Sequence, residues 1–131
     1  MNRAAMDDLG RLVLRVALGA LILLHGISKL RNGLGPIEDM VTAHGMPSFV
    51  AYGVLVGEVV APLMLLLGFY ARIGGLLIAI NMLFAIGLAH MSMLTQLNSE
   101  GGWALELQGM YLATALAITL LGPGRYAINQ R

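Results

Sequence analysis

The stretch LGRLVLRVALGALILLHGISKL, residues 9–30, decides how the chain is read. Its apolar run is long enough to cross a bilayer, which takes about 20 residues as an α-helix. Near its end two ionisable side chains, His25 and Lys29, stand four apart and so share one helix face. Polar groups at membrane depth are costly and face a bundle interior or a watery cavity. The apolar stretch exceeds the length of a signal-peptide core, so it reads as an uncleaved first span.

Working outward, three more apolar stretches follow, at 48–67, 72–90 and 103–121. With 58% hydrophobic and 11% charged residues, the 131-residue chain falls far from soluble composition and fits one compact domain. Four strands cannot close a barrel, so the spans must be helices. The expectation is an all-α membrane protein: a four-transmembrane-helix bundle in one domain, 1–131. A net charge of +1 without basic runs argues against nucleic-acid binding. The absence of cysteine excludes disulfides and thiol relays. No flavin, haem or iron–sulfur motif is visible, so redox chemistry would need a borrowed cofactor.

Arg3, Arg11, Arg15, Arg72, Arg125 and Arg131 fall on one side of this topology, with Lys29 and Arg31 on the other. The positive-inside rule then makes both termini cytoplasmic. Between spans one and two, Pro36 suits a first helical turn, with Glu38 and Asp39 beside it. Ile37, Met40 and Val41 give an apolar edge and Gly45 a stop, which predicts a short interfacial helix. Gly53, Gly57 and Ala61, and likewise Gly109, Ala113 and Ala117, are spaced for helix packing.

Glu58 is the most informative residue. It lies ten positions from one end of span two and nine from the other, roughly 15 Å deep at 1.5 Å per residue. Pro62, four positions later, lacks an N–H and crowds the Glu58 carbonyl, so a bend is expected there. Depth also groups His25, Lys29, His90, Trp103 and Glu106 in the outer third, around a cavity open to the outer face. Lys29 would pair with Glu106 or Glu58. Asn81 is about 180° around its helix from His90 and is expected to bond between helices. Plainer readings stand beside these: Lys29 can snorkel to the interface, and Trp103 fits an interfacial belt. His90, Met91 and Met93, with His44 and Met46 nearby, form an alternative soft-metal set suited to copper.

An ordered set of short motifs resembles the DoxX family: His25-Gly-x-x-Lys29-Leu30, Gly45-Met46-Pro47, Gly57-Glu58, Leu67-Gly68-x-x-x-Arg72, His90, Gly102-Trp103 and Leu121-Gly122-Pro123-Gly124. The resemblance implies a four-helix inner-membrane protein, an oxidoreductase subunit related to quinone-reducing membrane subunits of thiosulfate oxidation. His25, Lys29, Glu58 and His90 match its polar positions. Many members continue past Gly-Pro-Gly with Ser-Leu-Asp, where this chain has Ala127-Ile128-Asn129.

The leading expectation is therefore a membrane subunit that binds a quinone or similar small ligand and takes electrons from a partner redox protein. Glu58 would handle protons while His25, Lys29 and His90 bond the ligand. One rival is a small-molecule or metal transporter; another is a non-catalytic scaffold for a redox complex. Homo-oligomers fit any of these.

Overall fold

The computed structural model describes residues 2–90 and 95–131, and of Ala89 and His90 the backbone only. Five helical segments follow in order: α1 (Arg3–Asn32), α2 (Gly35–Ala43), α3 (Ser48–Leu67), α4 (Ala71–Leu88) and α5 (Glu106–Leu121). Among the described residues there is no strand, only one isolated bridge between Leu97 and Trp103. The long helices α1, α3 and α4 are apolar enough to cross a membrane. The 16-residue α5 is also apolar and shorter.

Each helix starts and stops for local reasons. Asn2 caps α1 by accepting from the Ala5 N–H at 2.8 Å, and α1 runs past the expected 9–30 at both ends. Pro36 sits in the first turn of α2, Glu38 follows it, and Gly45 adopts φ +81° just beyond the cap. The expected span at 103–121 begins as a helix only at Glu106, because Trp103 is held in the bridge to Leu97 and the Ala104 N–H bonds the Gln96 carbonyl at 3.0 Å.

The helices pack as a ring in which α3 touches α1 and α4, and α5 touches α4 and α1. Its centre is made of Leu18, Ile22, Ala61, Leu65, Ile78 and Ile118, all essentially buried. Large apolar residues also cover the outside, among them Leu24, Leu63, Ile73, Leu83 and Met110. A chain with an apolar core and apolar outer faces is suited to lipid on the outside.

Close approach uses Gly57, one of the residues whose spacing stood out, which lies against Asn81, together with glycines that spacing did not pick out. Gly53 faces open space, and Ala113 is exposed. Gly19 and Gly26 of α1 instead meet the α3 backbone around Pro62 and Glu58, while Gly75 of α4 lies against the Ala115 carbonyl. A four-residue spacing marks a possible seam without saying which face is buried.

At one end of the ring the chain ties itself together. Arg15, fully buried, donates to the Leu65 carbonyl at 2.9 Å and to the Tyr126 carbonyl. The tail pairs its Ile128 and Asn129 N–H groups with the Leu67 and Gly68 carbonyls, each at 3.3 Å, and the Tyr70 N–H donates to Asn129 Oδ1 at 3.0 Å. The start of α1, the Gly68–Tyr70 turn and the C-terminal tail therefore lie together. Sequence reasoning had used Arg15 only as a topology marker.

Gly26→Ala is expected to destabilise the protein by about 1–3 kcal/mol, because its methyl group would overlap the Glu58 backbone. Gly10→Ala, which meets nothing, should leave stability unchanged or raise it. Thermal unfolding in detergent checks the pair; equal melting temperatures would contradict the close α1–α3 contact.

Candidate functional site

The site begins with a fault in α3. Pro62 has no N–H to give, and the helix accommodates it by widening into a π turn over Val56–Val60, where the Ala61 N–H reaches back five residues to the Val56 carbonyl. The expected bend takes this form. The wider turn sets Glu58 toward the bundle centre, with the residue 5% exposed. Its carbonyl points at Gly26 rather than into a cavity. A Cβ on Gly26 would stand 2.7 Å from the Glu58 carbonyl carbon, so only a glycine fits there.

From the facing helix, Lys29 reaches across. Its Nζ donates to Glu58 Oε1 at 2.7 Å, forming an ion pair whose acid side chain is 6% and whose amine side chain is 25% exposed. Glu58 Oε2 is buried and has no hydrogen-bond partner in the protein. A satisfied charge with an unsatisfied second oxygen leaves one acceptor position unused within the protein.

Two cavities flank the pair. One, of about 180 Å³, is bounded by His25, Lys29, Glu58, Met82, Gln108 and Tyr111. The other, of about 150 Å³, has Lys29 and Glu58 on one side and Ile37, Met40, Asn81 and Phe84 on the other. His25, one turn before Lys29 on α1, stands edge-on to the Tyr111 ring with centroids 6.0 Å apart. The Met40 and Ile37 edge foreseen for α2 closes the second cavity from above Lys29.

Other candidates fall elsewhere. Glu106 is exposed and accepts from Asn98 Nδ2 at 3.4 Å, away from Lys29. Trp103 packs on Gly109 of its own segment. Both were placed on the cavity wall by extending the helix back to residue 103. With the helix starting at Glu106, the wall of α5 is Gln108 and Tyr111, three apart on another face. Tyr111 and Gln108 were missed for that reason. Asn81, expected only to bond between helices, borders the second cavity and packs on Gly57. Met91 and Met93 lie outside the described residues, as does the side chain of His90. His44 Nδ1 donates to the Met40 carbonyl at 2.8 Å on the surface. Among the described residues no cluster of three or more histidine, aspartate or glutamate side chains is arranged to hold a metal.

Fold and site together define a helical membrane protein with a buried acid–amine pair between two small cavities. The DoxX family model matches residues 10–91, which span α1 to the end of α4 and carry His25, Lys29 and Glu58. The chain is also 31% identical over 106 residues to a Bacillus subtilis (strain 168) protein named "Putative oxidoreductase CatD", covering 81% of this chain and 78% of that one. This chain belongs to the DoxX family. No solved structure matches it.

Removing Lys29 leaves a buried carboxyl without its partner, which costs about 3 kcal/mol or more where the pair is well enclosed. Lys29→Met should therefore lower the melting temperature clearly, and adding Glu58→Leu to it should recover most of the loss. If Lys29→Met melts with the native protein, the pair carries no structural weight.

Proposed function

We propose that the protein is an inner-membrane oxidoreductase subunit that receives the head group of a quinone, or a similar small ligand, beside Glu58 and Lys29. In this reading the chain spans the membrane four times with α2 lying at the outer interface. The arginine-rich end that gathers the termini and Arg72 is cytoplasmic. One observation carries the functional part: Glu58, a residue lining the cavity, has a buried carboxyl oxygen, Oε2, without a protein partner.

The donor set fits the ligand. A quinone head group offers carbonyl oxygens, and Lys29 Nζ and the His25 ring can donate to them, with Tyr111 and Gln108 bordering the same space. Reduction to the quinol takes two electrons and two protons. The chain has no thiol to relay electrons, so they would come from a partner redox protein. The residues here would act on protons and orientation. Glu58 Oε2 would take up and pass on a proton, Lys29 would steady negative charge on the ligand, and His25 would hold the ring at the rim.

Each cavity is smaller than the about 300–1,000 Å³ usual for a drug-sized ligand, which favours a single ring over a bulky molecule. The lysine already bonded to Glu58 also disfavours an incoming cation, and with it the transporter reading.

Quinone binding to the reconstituted protein, followed by quenching of its single tryptophan, tests this. Glu58→Gln is expected to weaken binding by about tenfold or more, the scale of a lost charge-assisted hydrogen bond, and His25→Ala by less. Unchanged binding in both variants would overturn the proposal.

A further inference from the structure

The second cavity beside the ion pair shares part of its wall with another space. Asn81, Val54 and Phe84 also border a third space, of about 200 Å³, between α3 and α4. Its floor is Val54, Gly57 and Asn81, all buried, and its rim is Gly53, Val56 and Ile80. The rim residues face outward: Val56 is 43% and Ile80 54% exposed, and a side chain on Gly53 would meet no atom within 4 Å. The three spaces share walls: Lys29, Glu58, Met82 and Ala85 line both the first and the second, and Val54, Asn81 and Phe84 line both the second and the third, whose rim lies on the apolar outer face of the bundle.

The lining changes along this path. Around the pair it is ionic and hydrogen-bonding, whereas the third space is bounded almost wholly by Val, Leu, Ile, Phe and Gly, with Asn81 alone at the junction. The opening comes from two features of α3. The π turn that carries Glu58 begins at the rim residue Val56, and Gly53, one turn earlier, leaves the rim without a side chain.

We propose that this groove is the lateral access path for an amphiphilic ligand and the seat of its apolar chain, with Gly53 setting the width. The inference rests on the ligand reading above and adds the class of molecule: a lipid-soluble head group carrying a hydrocarbon chain, taken from the bilayer rather than from water. The head group lies at Glu58 and Lys29. The chain passes Asn81 and leaves between Gly53 and Ile80 into lipid. A polar ligand without a chain would gain nothing from the groove.

The test uses the full chain in lipid nanodiscs and two probes: a benzoquinone without a chain, and the same head group bearing a decyl chain. Binding is measured by competition against a fixed concentration of labelled probe, so that an added side chain does not disturb the readout. Gly53→Phe is expected to weaken the decyl compound by at least about tenfold, the scale on which a filled apolar pocket discriminates, and to leave the chainless one within about twofold. Ile80→Phe, on the opposite rim and facing lipid, should do the same and covers the case in which the first variant fails to fold. Equal effects on both probes, or none on either, would overturn the access path while leaving head-group binding in place. If native protein binds neither probe, the head-group reading fails and the access path with it.

Discussion

A single ion pair between α1 and α3, Lys29 Nζ to Glu58 Oε1 at 2.7 Å, sets the constraint that the rest of the bundle accommodates. An acid held away from water is tolerable only with a partner of opposite charge and good geometry. That requirement brings α1 and α3 into backbone contact, which in turn demands Gly26 opposite the Glu58 carbonyl and Gly19 opposite Pro62. It also makes the π turn useful, since a regular helix through Pro62 would lose a hydrogen bond and direct the acid differently. Sequence, backbone irregularity and ion pair are thus one arrangement.

The opposite end of the bundle solves a similar problem by other means. Arg15 is fully buried, yet its guanidinium bonds backbone carbonyls of α3 and of the C-terminal tail rather than an acid. The tail lies against Gly68, whose φ of +70° and lack of a side chain leave room for Arg15 and Ala127. One end is therefore closed by hydrogen bonds to backbone, and the other keeps cavities around a charged pair.

Much of the fold was legible in the sequence, because apolar length, Pro62 and the Pro36–Gly45 pattern act locally. The Lys29–Glu58 pairing was legible as one of two choices, since depth alone brought Lys29 near Glu58 and Glu106. What decided between them was where α5 begins, and that depends on a loop bridge between Leu97 and Trp103 that no periodicity announces. The same shift hid Gln108 and Tyr111. Spacing picked out Gly57 and missed Gly19, Gly26 and Gly75 for a related reason: it gives a period, while the buried phase is fixed only by the neighbouring helix. Arg15 left no signal apart from its position within an apolar run, which a charged residue needs a reason to occupy.

The chain contains one lysine, so a lysine side-chain nitrogen label reports on Lys29 alone. Solid-state NMR of protein in bilayers, labelled at lysine Nζ and glutamate Cδ, measures their dipolar coupling directly. The account predicts strong dephasing of the lysine nitrogen by a directly bonded carboxyl, abolished in Glu58→Gln. Weak dephasing in the native protein, or dephasing that survives that substitution, would contradict it.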